Sequence, residues 1–265
     1  MVNGYERTGR ERVSVFGSSP DISAMSAKDI IIKPIEAADA NRLVKSIHYS
    51  GKVVPNSQLH FGVFLNGKCG GAMQFGPSMR KDLIVGLVAG TKWNGFMELN
   101  RMAFADWLPR NSESRALSVA MRLIRKHYPH IDWVVSFADA TQCGDGTIYR
   151  ASGFVLTGIK KNSELKVNPR TGETMATMAA YHKGYAAEIS TWSSLSGHML
   201  RYIYFLNREA KQRLTVPVIP FTEIARSGAS MYLGKRTCVD SMSSHAAGVQ
   251  LADEGATPIS TLQNF

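Results

Sequence analysis

The chain has 265 residues, of which 44% are apolar and 20% charged, and a net charge of +10. This composition fits a folded globular protein and excludes wholesale disorder, and the longest apolar stretch, residues 83–89, is far too short to span a membrane. Cys69, Cys143 and Cys238 form no CxxC pair and no zinc spacing, and the first twelve residues lack an apolar secretory core, so a reduced, intracellular setting is expected.

The charge is unevenly spread. Residues 1–26 sum to zero and read as a flexible N-terminal arm rich in Ser, Gly and Arg. Residues 237–265 hold no Lys or Arg, three acids and few large apolar side chains. They cannot bury enough surface to offset ordering entropy and are expected to be a disordered tail. Residues 27–236 therefore carry +13 and form the folded body. A basic body points to a polyanionic partner, most simply nucleic acid; the plain alternative is a charged face kept for solubility.

Within the body, residues 30–34 read as a short apolar strand. Residues 35–46 place Ala37, Ala38, Leu43 and Val44 at helical spacing. Residues 59–65 and 69–75 read as two strands joined by the hairpin dipeptide Asn66-Gly67, the second weakened by its glycines. Residues 96–105 form a central strand. A polar bend at 111–114 leads into an amphipathic helix, 114–127, with Leu117, Ala120, Met121 and Ile124 on one stripe. Residues 133–137 form a buried strand. A short helix at 146–152 ends at Gly153, and a strand follows at 154–159. Residues 199–212 read as a second helix.

The run Gly146-Thr147-Ile148-Tyr149-Arg150-Ala151-Ser152-Gly153-Phe154 resembles the end of the GNAT acetyltransferase fold, where a helical tyrosine precedes Gly-Phe and a strand. A narrower resemblance rests on Ile47-His48-Tyr49-Ser50-Gly51, Glu98-Leu99-Asn100-Arg101-Met102, Ser136-Phe137-Ala138-Asp139 and the Tyr149 segment, with Arg201-Tyr202-Ile203-Tyr204-Phe205-Leu206 downstream. In combination these resemble the Mom family of phage DNA adenine-modification proteins, over about residues 30–236. The resemblance implies an α/β, GNAT-like fold, with a mixed central sheet whose strands splay apart and helices on its flanks. It implies conversion of adenine in DNA to N6-carbamoylmethyl-adenine, in the host cytoplasm, hiding phage DNA from restriction enzymes. The partner implied is double-stranded DNA with a flipped adenine, since a stacked base is out of reach of side-chain catalysis. Two other classes stay open: an N-acetyltransferase acting on a protein or small-molecule amine, and a non-catalytic DNA-binding protein on the same scaffold.

The candidate residues also read on their own chemistry. Tyr149 can give or take a proton once positioned, or simply pack under the following strand. Arg101 lies inside an apolar strand, so it faces a ligand or pairs with Glu98 or Asp139. Asp139 ends a strand, where ligand crevices open, or caps the turn toward Gln142. His48 suits a base or metal ligand, but no second ligand adjoins it, so the metal stays unknown; the resemblance adds Tyr49 beside it. Ser112, Ser114 and Arg115 open a helix and suit the pyrophosphate of an acyl-CoA, although the glycines usual there are missing; a serine N-cap is the alternative. Lys160, Lys161, Lys166 and Arg170 read as a basic loop suited to DNA phosphates, or as a solvated face.

Overall fold

The computed structural model describes residues 25–162, 164–232 and 235–236. The expected C-terminal tail, and all but the last two residues of the expected arm, lie outside the described residues. Strand β1 (Ile31–Pro34) leads into helix α1 (Ala37–Ile47), then the hairpin β2 (Leu59–Leu65) and β3 (Lys68–Gly76). Asn66 and Gly67 both take positive φ, 50° and 76°, as a two-residue hairpin demands. Despite its glycines β3 is a full, buried strand, because it is paired on both sides.

The short helix α2 (Lys81–Ile84), strand β4 (Phe96–Phe104), helix α3 (Ser112–His127) and strand β5 (Trp133–Asp139) follow. Next come helix α4 (Thr147–Ala151) and strand β6 (Val155–Asn162), separated by Gly153 at φ 85°. A small insertion, β7 (Leu165–Val167), β8 (Thr174–Ala176), α5 (Thr177–His182) and β9 (Ser193–Ser194), has its own core of Met175, Ala180, Ile189 and Trp192. Its strands are too short for sequence periodicity to mark. Strand β10 (Gly197–Phe205) and helix α6 (Arg208–Gln212) come after it.

Residues 199–212 are thus not one helix. Leu200 and Tyr202 face one core, Ile203 and Phe205 the other. That alternation, with aromatic and β-branched residues, suits a strand, and pairing with β5 on one side and β6 on the other fixes it. Nor are Lys160, Lys161, Lys166 and Arg170 a single loop. Lys160 and Lys161 belong to β6 and Lys166 to β7, while Arg170 sits in the turn after it.

The main sheet runs β1-β2-β3-β4-β5-β10-β6, with every neighbour antiparallel except β4 and β5. These two run parallel and pair only over Phe96–Glu98 against Trp133–Val135 before parting. This is the mixed, splayed sheet with flanking helices of a GNAT-like fold. One face packs under α3, with Val63, Met73, Leu99, Val134 and Leu200 against Leu117, Met121 and Ile124. The other face has two separate patches. Leu43 of α1 belongs to one, with Phe64 and Ala72; Ile84 and Leu87 belong to the other, with Phe96, Trp133 and Val135. Phe96 and Trp133 stack at 4.4 Å at the root of the parallel pair. Burying each such ring contributes about 1.5–3 kcal/mol or more.

Candidate active site at the parted strands

A register slip decides what faces the gap. Leu99 lies opposite Phe75 and Met102 opposite Met73, all in the α3-side core, while Arg101 lies opposite Gln74. Asn100 is the extra residue of a bulge. Strict alternation from Leu99 would point Arg101 into the core; the bulge turns it to the other face, the usual effect of an added residue. Asn100 is held by Ser57, whose hydroxyl donates to its Oδ1 at 3.0 Å.

The loop after α1 closes over that face. His48 caps α1 through its backbone N–H to Val44 O, and Gly51 turns the chain at φ 58°. Arg101 Nε donates to Lys52 O at 2.8 Å and Nη1 to Asn100 O at 2.6 Å. Among the described residues Arg101 makes no salt bridge, so the expected pairing with Glu98 or Asp139 is not formed. Backbone carbonyls hold the guanidinium instead, with Glu98 acting on it through space.

Asp139, at the end of β5, is tied on three sides. Oδ1 accepts from Thr141 N at 2.9 Å; Oδ2 accepts from Gln142 Nε2 at 3.1 Å and lies 3.5 Å from the Tyr49 hydroxyl. It therefore shapes the turn and also meets Tyr49 across the mouth. Tyr149 comes from α4 on the α3 side, with its ring 5.4 Å from Phe154 and 5.3 Å from Tyr202. It packs below the mouth and feels Arg101 and Glu98 through the gap.

The electrostatics follow from this packing. Burial, then the Arg101 charge, lowers His48 to about 4, so the imidazole is neutral near pH 7. Its Nδ1 accepts from Ser50 N at 3.2 Å, which assigns the proton to Nε2. Desolvation and the Asp139 carboxylate raise the Tyr49 phenol. Burial raises the Tyr149 phenol; the nearby Ser136 hydroxyl offsets part of that rise without meeting hydrogen-bond geometry. Both phenols stay protonated at neutral pH. Burial likewise raises Glu98, against the opposing pull of Ser78, Asn100 and Arg101. Glu98 stands where the parallel pairing ends, and in the sequence reading it enters only as a partner for Arg101. The signal for it was the same: a charged residue within an apolar strand.

His48, Tyr49, Arg101, Asp139 and Tyr149 thus lie around one mouth. The arrangement can hold an anion or polarise a carbonyl at Arg101 and deliver a proton from a phenol. The other expected residues lie apart from it. Ser112 is buried with Oγ donating to Pro109 O, and Ser114 Oγ donates to Asn111 O. Neither is the N-cap, which is Asn111 in the left-handed region with no side-chain cap bond. At the first turn of α3, Ser112 N donates to Pro109 O at 3.1 Å and Glu113 adds an acid, with exposed Arg110 and Arg115 beside it. Lys166 donates to Ser194 Oγ at 2.8 Å and Arg170 pairs with Glu188 at 3.1 Å; Lys160 and Lys161 are exposed on the edge strand. Among the described residues no group of three or more His, Cys, Asp or Glu is gathered for a metal, and no helix is long and apolar enough to cross a membrane. A cavity of about 360 Å³ lies by the start of β4, lined by Met97, Tyr128 and His130 among others, away from the mouth.

Comparison with known proteins adds to this geometry. The model of the Mom protein family matches residues 29–223. A methylcarbamoylase, mom, of Escherichia phage Mu is 34% identical over 220 residues, covering 78% of this chain and 90% of the relative. Similar solved structures include an IAA acetyltransferase from Bacillus cereus, 13% identical with a TM-score of 0.39, covering 66% of this chain and 99% of that one. Another is the ribosomal-protein-S18-alanine N-acetyltransferase of Escherichia coli, 11% identical with a TM-score of 0.40, covering 67% and 94%.

Proposed function

We propose that this chain, which belongs to the Mom protein family, is a phage DNA-modification enzyme, a transferase that converts adenine in DNA to N6-carbamoylmethyl-adenine. The product would mask phage DNA from restriction enzymes in the host cytoplasm. The observation that carries the reading is the meeting of Tyr49, Arg101, Asp139 and Tyr149 where β4 and β5 part. The basic body supports a DNA partner.

The carbamoylmethyl group is bonded to nitrogen through its CH₂, so this is not simple acyl transfer. Either N6 attacks an activated α-carbon, or a glycine-derived amine replaces N6 on the ring. Both need the adenine flipped out of the stack, costing a few kcal/mol. Arg101, a fixed cation held by carbonyls, would bind the anion that develops. Tyr149, a protonated phenol in a desolvated setting, would supply or relay a proton. Asp139 orients Tyr49 at the rim, and neutral His48 presents its Nε2–H. The first turn of α3, with Arg115, would hold the pyrophosphate of an acyl-CoA; a thioester activates its carbonyl carbon, so bonding through CH₂ needs a donor whose α-carbon itself carries the leaving group.

The test is mass spectrometry of nucleosides from the DNA of cells expressing the protein. Carbamoylmethyl-adenine in wild-type samples, and its absence with Arg101→Ala at unchanged folding, is the expected result. Acetyl transfer to a peptide amine with unmodified DNA would replace this reading with the N-acetyltransferase one.

A further inference from the structure

Arg201 belongs to a motif that the site described above does not use. It lies on β10 directly opposite Phe137 of β5 and Gly158 of β6. Its neighbours on the strand, Leu200 and Tyr202, point into the α3-side core, whereas Ile203 points to the other face. Arg201 therefore shares the face of Ile203 and Phe137. Asp139 is two residues beyond Phe137 and opposite Met199, so it stands on this face as well. The diagonal places Arg201 about 7–8 Å from Asp139, backbone to backbone.

Arg201 repeats the device seen at Arg101. A bulge in β6 makes Thr157 the extra residue between Leu156 and Gly158. Arg201 Nη2 donates to Thr157 O at 2.7 Å and Nε to Thr157 Oγ1 at 3.1 Å. The guanidinium crosses Gly158, where a Cβ would come within 3.4 Å of Cζ. It is half-buried and, among the described residues, makes no salt bridge. Burial acts against its charge. A half-exposed guanidinium with no carboxylate partner among the described residues can donate a charge-assisted bond to an anion. Lys160, exposed on β6 opposite Met199, lies on the same face. Among the described residues on these strand ends the acid is Asp139, which already accepts from Thr141 and Gln142.

We propose that the shelf formed by the upper ends of β5, β10 and β6 is a DNA-backbone subsite, in which Arg201 and Lys160 hold phosphates beside the target nucleotide. This rests on the DNA-modification reading. The choice of DNA over a phosphate-bearing donor comes from the two faces of the sheet. The N-terminus of α3, proposed above to hold a donor pyrophosphate, belongs to the Tyr149 side. Arg201, Arg101 and Asp139 share the opposite face, so the two anions would arrive from different sides of the split. Phe137, opposite Arg201 on β5, and Met199, opposite Lys160 on β10, are both half-buried and offer apolar contact to a sugar or base edge.

The experiment measures the affinity of the full chain for duplex DNA across a salt series. It compares wild type with Arg201→Gln, Arg201→Lys and Lys160→Gln, with a melting curve for each and titration with coenzyme A alongside. Each lost phosphate contact should reduce the log–log salt slope by about 0.9. Arg201→Gln and Lys160→Gln are each expected to lose about that much. Arg201→Lys should keep the slope while binding more weakly, because lysine lacks the planar fork. Lys160→Gln and Arg201→Lys carry the test if Arg201→Gln melts early. Unchanged slopes in the folded variants, while wild type binds and modifies DNA, would overturn the subsite and leave the DNA-modification reading intact. Weaker coenzyme A binding at unchanged DNA affinity would assign Arg201 to a donor and also overturn it. A wild type that neither binds nor modifies DNA sinks both readings together.

Discussion

Below Glu98 and Val135 the parallel strands β4 and β5 are bonded; above them they part. The bonded root is largely apolar, with Phe96 stacked on Trp133 and the Lys81 ammonium 5.8 Å from the centre of the Phe96 ring. The open mouth holds Glu98, Arg101, Ser136 and Asp139, with Tyr49 and Tyr149 brought to it from helix ends. The difference is one of hydrogen-bonding physics. A paired ladder satisfies its own backbone and leaves side chains free to pack. A parted ladder leaves polar groups to be met by side chains, loops or a ligand. Stability therefore belongs to the root, and the proposed function places the chemistry at the mouth.

Several substitutions would break or sharpen that contrast. Trp133→Ala, at the root, should cost about 3–5 kcal/mol and lower folded yield and all activity together, as read by chemical denaturation. Tyr149→Phe, at the mouth, removes one oxygen and almost no volume. Modified adenine in cellular DNA should drop 10²-fold or more with the melting curve unmoved; a loss of activity that tracks unfolding would make the tyrosine structural. Tyr202→Phe tests the join between the two regions, because its hydroxyl donates to Asp145 O at 2.5 Å below Tyr149. It should cost about 1–2 kcal/mol in denaturation, with a smaller loss of modification than Tyr149→Phe.

The pH response of the mouth is a separate handle, visible only below neutral pH. The unfolded chain takes up the His48 proton near 6.5, the folded chain only near 4. Between these values the unfolded state binds more protons, so His48 should make stability fall as pH drops from 6.5 toward 4. His48→Gln should flatten that part of the stability–pH curve. An unchanged curve would mean that His48 is not held neutral by its surroundings.

The amphipathic stripe of α3, the Asn66-Gly67 hairpin, the Gly153 stop and the apolar runs of β4 and β5 follow from local rules of periodicity and backbone conformation, so they could be read without coordinates. So could the suspicion attached to Arg101, because a charged residue in an apolar strand needs a reason. Residues 199–212 mislead because their apolar spacing fits a helix and a strand alike. Only pairing on both sides, between β5 and β6, makes the first part a strand. The bulges at Asn100 and Thr157 are equally invisible in one sequence, since an extra residue exists only relative to a partner strand. Yet those bulges turn Arg101 to the mouth and set the carbonyl that holds Arg201. Residue types and local periods are properties of the chain alone. Which face a side chain takes, and which distant carbonyl or carboxylate it meets, is set by register between strands far apart in sequence, and only the folded sheet supplies that.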